Sequence, residues 1–136
     1  MPQHYQQKTK NPFRLPDIPY RRAVYAIKDY DRRKEEYAEL LKYSPPILTG
    51  MPGDGELLNP TAEKGEALAA ISDELHAVEG ALAEIPDEYR EGVFARVRHG
   101  TAYPEYAHIN TWEKWKQRYI YYVAVRMGLV INMNKV

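Results

Sequence analysis

The apolar residues in the middle of the chain recur at intervals of three and four, the spacing of one side of an α-helix. The six positions are Leu68, Ile71, Leu75, Val78, Leu82 and Ile85. A less regular series predicts one long helix from Tyr20 to Tyr43. Asn59-Pro60 is typical of a helix start, because Asn accepts hydrogen bonds from first-turn amides and Pro suits the first helical position. We expect these two helices to pack antiparallel, with packing against a second subunit as the alternative.

A third helix is predicted after Pro86, a residue that either ends the preceding helix or begins the next one. Acidic residues directly after it suit the positive end of a helix dipole. Tyr89, Val93 and Val97 are expected on its buried side, and Gly100 is expected to end it.

The last predicted helix runs from Thr111 to Met127, with Asn110 or Thr111 as its N-cap and Gly128 directly after it. Residues 101–110 connect it to the third helix and have room for about two short turns. The pattern therefore predicts an all-α protein.

Prolines and glycines divide the chain into three parts. Residues 1–19 carry four prolines and several cations, which predicts a flexible basic arm. Residues 44–58 hold adjacent prolines and three glycines, which predicts a loop between the two long helices of residues 20–85. Residues 86–136 form the third part. We expect a long helical hairpin or stalk followed by a small helical bundle.

The composition is that of one globular domain with a wet surface. Of its 136 residues, 44% are apolar and 28% charged, the mean hydropathy is −0.64, and there is no Cys. The absence of Cys excludes disulfides, thiolate zinc sites and cysteine nucleophiles. No apolar run approaches the roughly 18 residues that span a bilayer, and the first residues are polar. We therefore expect a cytoplasmic protein with no membrane partner.

The formal net charge of zero conceals a strong division along the chain. Residues 1–43 contain 10 basic and 6 acidic side chains, residues 44–85 contain 1 and 8, and residues 86–136 contain 8 and 5. Because binding responds to local potential, two basic ends remain compatible with a nucleic-acid partner. The alternative interpretation is that the acidic middle is only a solvated helix face.

The last helix has two faces of different chemistry. One face is predicted to be buried and comprises Trp112, Trp115, Tyr119, Tyr122, Val123 and Met127. The opposite face lacks carboxylates and comprises Asn110, Thr111, Lys114, Gln117, Arg118 and Tyr121. Cations and amides can donate to base edges or phosphates, and an exposed helix fits the major groove. The alternative is that these polar side chains only keep a terminal helix in solution.

A resemblance to a known family supports the first interpretation. The residues from Ile85 to Val130 include IPDEYR, a Gly-Thr-Ala-Tyr connector, and the block WEKWKQRYIYYVA followed by Gly128-Leu129. This part resembles phage-encoded transcriptional regulators of the ArpU and RinA type, which look like region 4 of sigma-70 factors. The segments ILTGMPGDG and NPTAEK extend the resemblance upstream to about Ile47.

The resemblance implies a sequence-specific regulator of late phage or prophage genes in a bacterial host cell. Its helix-turn-helix would bind double-stranded DNA, and the last helix would read bases with the polar face defined above. Only three residues separate Ala107 from Thr111, so the motif is shortened. Phosphate contacts are expected from cations elsewhere: Arg96, Arg98 and Lys116, or the basic arm at Lys8, Lys10, Arg14, Arg21 and Arg22. Host RNA polymerase is a further candidate partner, and the stalk could support a homodimer.

Other chemistry finds little support in the sequence. The four histidines lack the spacing of a helical metal pair, and the carboxylates of the acidic middle lie on a predicted wet face rather than in a pocket. The glycines of residues 50–55 lack the ending of a phosphate loop. We therefore expect neither an enzyme nor a metal or cofactor site.

Two rival functions remain open. The DNA-recognition subunit of a phage terminase also joins a helix-turn-helix to long helices, but it assembles as a ring. An inhibitor acting by protein contact would use the acidic middle as a nucleic-acid mimic or the tyrosines as a binding surface.

Overall fold

The described residues form five α-helices and no strand. The computed structural model describes residues 11–42 and 60–132. The helices are α1 (Asp17–Lys28), α2 (Tyr30–Lys42), α3 (Pro60–Ala83), α4 (Asp87–His99) and α5 (Ile109–Arg126). The predicted all-α class is confirmed. The predicted loop at 44–58 and the cations Lys8 and Lys10 lie outside the described residues.

The predicted single helix from Tyr20 to Tyr43 is wrong, because the helix is interrupted at Asp29. Its backbone (φ −87°, ψ 1°) leaves the helical region, although its N–H still donates to the Tyr25 carbonyl at 2.9 Å. Its carboxylate binds Arg32 through two nitrogens at 2.6 Å. Asp favours such local bonds over helix interiors. The break lets α1 pack against α4 and α5 while α2 packs against α3.

The helices α2 and α3 run antiparallel, as predicted. The Tyr30 hydroxyl donates to Glu79 at 2.5 Å, and Arg33 Nε donates to Glu74 at 2.9 Å. A residue further along α2 therefore contacts a residue nearer the start of α3. Within the six-residue apolar series of α3 and the residues after it, Leu68 and Leu82 are half-buried and the other four are buried. Glu74 and Glu79 thus bind a neighbouring helix, so the acidic middle is more than a solvated face.

Residues 11–19, the described part of the predicted arm, include the start of α1 and contact the core. The helix α1 already begins at Asp17, and Pro19 lies in its first turn, where a missing N–H breaks no helical bond. Ahead of it, Leu15 is buried in the core. The ring of Phe13 meets Tyr121 edge-on at 5.4 Å. This segment therefore covers part of α5.

The centre of the fold is α5, which packs against α1, α3 and α4. Its Trp112 is fully buried and donates Nε1–H to the Pro104 carbonyl at 3.1 Å. Tyr103 stacks parallel to the indole at 5.1 Å, and Tyr89 meets it edge-on at 5.1 Å. On α4, a Cβ at Gly92 would lie 2.6 Å from the indole. The connector between α4 and α5 (residues 100–108) and α4 itself therefore both pack against the side chain of Trp112.

The predicted ends of the last two helices are confirmed in part. The helix α4 ends at Gly100 in the left-handed conformation (φ 71°), and Gly128 adopts the same conformation (φ 73°) after α5. The N-cap of α5 is His108 rather than Asn110 or Thr111, because the His108 Nδ1 atom accepts from the Asn110 N–H at 3.0 Å. The connector contains a turn and no helix.

Candidate nucleic-acid interface

The outward face of α5 is rotated from the predicted one. Its stripe of exposed or half-buried side chains comprises Thr111, Lys114, Trp115, Arg118, Tyr122 and Val125. We call this stripe the α5 face. Tyr121 was expected on the wet side but is only 4% exposed, because Phe13 and Tyr122 pack against it. Trp115 was expected in the core and is half-buried.

The remaining predicted base-reading residues fare differently. Asn110 and Lys114 are exposed, and Thr111 is half-buried. Gln117 is half-buried, and its Nε2 atom is buried without a hydrogen-bond partner among the described residues. The residues predicted to read bases therefore lie together on the surface only in the first turns of α5, at Asn110, Thr111 and Lys114.

Two cations of the α5 face are held by aromatic rings. The Lys114 ammonium lies 4.7 Å from the Trp115 ring centroid, and the Arg118 guanidinium lies 5.0 Å from the same ring. Arg118 also lies 4.6 Å from the ring of Phe13, and Trp115 stacks on Tyr89 at 6.0 Å. Neither cation has an ion pair with a described residue. Contact with a ring orients a cation without neutralising its charge.

The only acidic residue of α5 is turned away from this face. The Tyr103 hydroxyl donates to Glu113 Oε2 at 2.7 Å, and the Lys116 ammonium lies 3.3 Å from the same oxygen. Burial, with the adjacent Glu113 carboxylate, raises the pKa of Tyr103 well above its usual range. The α5 face thus carries two cations, the hydroxyls of Thr111 and Tyr122, and no carboxylate.

The three expected phosphate-binding cations gather elsewhere. Arg96 lies over the Tyr103 ring at 5.3 Å, and Arg98 lies over Phe94 at 4.1 Å. Lys116 was expected to be open to solvent but is only 6% exposed, because α5 is enclosed on that side and Glu113 binds its ammonium. All three line one small cavity whose lining does not include the α5 face.

The cations nearer the N-terminus are distributed along α1 and the segment before it. Arg14, Arg21 and Arg22 are exposed. Arg21 forms a solvent-exposed pair with Asp17 at 3.3 Å, and such pairs are weak. Sequence reasoning missed Phe13, whose signal was an aromatic residue inside a proline-rich segment.

No group of three His, Cys, Asp or Glu side chains within residues 11–42 and 60–132 is placed to hold a metal ion. None of the five helices combines the length and the hydropathy that crossing a bilayer requires.

Comparison with known proteins identifies no relative. The chain matches no protein-family model, no curated protein and no solved structure at a significant level.

Proposed function

We propose that the protein is a sequence-specific DNA-binding regulator of phage or prophage genes that contacts duplex DNA with the N-terminal half of α5. The observation that carries this proposal is the α5 face, where Lys114 and Arg118 are ring-supported cations and no α5 carboxylate competes for them. Recognition helices of helix-turn-helix proteins use their first turns to reach base edges. The resemblance in the last third of the sequence supports the same assignment.

The roles follow from exposure. Asn110, Thr111 and Lys114, in the first two turns of α5, are assigned to base edges. Arg118 lies one turn further along and is assigned to a phosphate or a guanine. Tyr121 is excluded from this role, because its ring packs against Phe13 and its hydroxyl lies 3.3 Å from the side-chain oxygen of Asn132.

The test is fluorescence anisotropy with duplex DNA from upstream of the neighbouring operon, against a scrambled duplex, at two salt concentrations. Lys114→Ala should weaken binding to the specific duplex by about 1–3 kcal/mol and narrow its preference over the scrambled duplex. If Arg118 contacts a phosphate, Arg118→Ala should weaken binding to both duplexes by the same factor and reduce the salt dependence of the affinity.

The matched control is Lys34→Ala, which removes a cation from the exposed surface of α2. It should leave DNA affinity unchanged. Equal affinities of wild type, Lys114→Ala and Arg118→Ala would reject the α5 face as the DNA contact. A salt-independent interaction, or none with any duplex, would reject the function and favour an inhibitor acting by protein contact.

Mass measurement in solution separates the regulator from a terminase subunit. A regulator is expected as a monomer or a homodimer, whereas a terminase subunit forms a ring of many copies. A ring that binds DNA would therefore replace this proposal with the terminase assignment.

A further inference from the structure

A small basic cavity lies where the last turns of α1 and α4 meet the middle of α5. Its volume is about 260 Å³. Among the described residues, the charged or titratable ones lining it are Lys28, Arg96, Arg98, His99 and Lys116, and none of its lining residues is a carboxylate. We call it the basic pocket.

Neighbouring acids balance only part of this charge. Asp31 lies 3.5 Å from Arg98 and 3.3 Å from His99, while Glu113 pairs with Lys116. Arg98 and Lys116 each pair with one carboxylate, whereas Arg96 has no ion pair with a described residue, so at least one positive charge of the lining is uncompensated even with His99 neutral. The pocket therefore has a positive potential.

Helix dipoles account for some of these cations but not for Lys116. Lys28 lies in the last turn of α1, and Arg96, Arg98 and His99 lie in the last turn of α4, where cations are favourable. Lys116 is in the middle of α5, and its side chain is only 8% exposed. Of its three N–H donors, the described residues supply one partner, Glu113 at 3.3 Å. The Arg98 Nε atom is likewise buried with no hydrogen-bond partner among them.

Buried donors without partners are costly, and an anion in the cavity would accept from the donors of Lys116 that Glu113 leaves unpaired. We propose that the basic pocket binds a phosphate group, either from a nucleic-acid backbone or from a small phosphorylated compound. Arginine forks and a lysine ammonium are the usual protein ligands of phosphate. The volume is below the roughly 300–1,000 Å³ of sites that enclose a whole drug-sized ligand, so the phosphate enters and the rest of the ligand stays outside.

The test uses pyrophosphate as the probe, titrated calorimetrically at constant ionic strength. Wild type should bind it saturably. Arg96→Gln should weaken binding about tenfold, because charge-assisted hydrogen bonds of this kind are lost. Arg96 is exposed, so this change leaves the core intact, and circular dichroism checks that the variant is folded. The control Lys34→Gln removes an equal charge from α2 and should bind like wild type.

A second titration identifies the source of the phosphate. If pyrophosphate displaces duplex DNA and Arg96→Gln weakens specific and scrambled duplexes alike, the pocket binds the DNA backbone. If pyrophosphate binds without affecting DNA, the pocket serves a small phosphorylated compound. If wild type does not bind pyrophosphate saturably, or if Arg96→Gln and Lys34→Gln bind it with equal affinity, the proposal that the basic pocket binds phosphate is overturned. Pyrophosphate binding without any DNA binding would reject the regulator proposal and leave the pocket standing.

Discussion

The ammonium of Lys116 lies 3.3 Å from a carboxylate oxygen of Glu113, and the two side chains differ in exposure, 8% against 43%. The same oxygen accepts the Tyr103 hydroxyl hydrogen at 2.7 Å. One carboxylate therefore links the connector to α5 and neutralises the buried lysine.

Glu113→Gln should lower the free energy of unfolding by about 1–3 kcal/mol, because it leaves the buried ammonium of Lys116 without its carboxylate. Urea denaturation followed by circular dichroism measures the loss. Glu105→Gln is the control, since Glu105 is an exposed carboxylate on the connector. Equal stabilities of the two variants would show that the pair contributes nothing.

Gly92→Ala should destabilise the protein by about 1–3 kcal/mol. The added Cβ would lie 2.6 Å from Trp112, which is fully buried and cannot move away cheaply. Gly65→Ala is the matched control in α3, where a Cβ meets nothing within 4 Å. It should stabilise by up to about 1 kcal/mol through helix propensity. Thermal melts of both variants measure the change in melting temperature. A change of the same sign in the two variants would contradict the close approach of α4 to Trp112.

Trp112→Phe should cost about 2–3 kcal/mol, because the smaller ring leaves a cavity and the Pro104 carbonyl loses its donor. Trp115→Phe should cost less than about 1 kcal/mol, since Trp115 is half-buried. The two variants also separate the fluorescence of the two indoles. The protein that retains only Trp112 should emit at the shorter wavelength, and the reverse order would contradict the inward position of Trp112.

Stability should fall as the pH rises from about 10 to about 12. Burial and the hydrogen bond to Glu79 raise the pKa of Tyr30 from 10.0 to about 12. The folded state holds this proton more tightly than the unfolded state, so the stabilisation is complete below pH 10 and is lost through the folded pKa. Burial also raises the pKa of Tyr119. Urea midpoints across this range measure the slope.

Tyr30→Phe tests the assignment of that slope. The variant should lose stability less steeply above pH 10 than wild type does. Tyr25→Phe is the control, because Tyr25 is exposed on α1. Its curve should run parallel to that of wild type. If the stability of Tyr30→Phe fell as steeply above pH 10 as that of wild type, the loss of stability at alkaline pH would come from other groups.

The sequence predicted the elements whose signals are local. Pro86 and Gly100 bound α4 as expected, and the apolar series of α3 lies against the core, because capping chemistry and helical spacing need no knowledge of distant residues. The break at Asp29 was missed, since it is favoured by the packing of α1 and α2 on different neighbours. Local pattern cannot report that choice.

The outward face of α5 was misplaced for a related reason. Tyrosine occurs both in cores and on surfaces, so the three tyrosines in the second half of α5 do not indicate which side of the helix faces outward. Tyr119 and Tyr121 are buried and Tyr122 is half-buried. Phe13, about a hundred positions earlier in the chain, helps to decide the outcome by covering Tyr121. The sequence indicated Arg96, Arg98 and Lys116 as phosphate-binding candidates, but not that they line one pocket, because the pocket joins residues of three helices.

The contact between Phe13 and α5 has a practical consequence for anyone shortening this protein. A boundary chosen from helix limits alone would start the polypeptide at Asp17 and discard Phe13. That deletion would uncover Tyr121 and release Arg118 from one of its two rings. Ligand affinities measured on such a fragment would describe an altered surface, so trimming should stop ahead of Asn11.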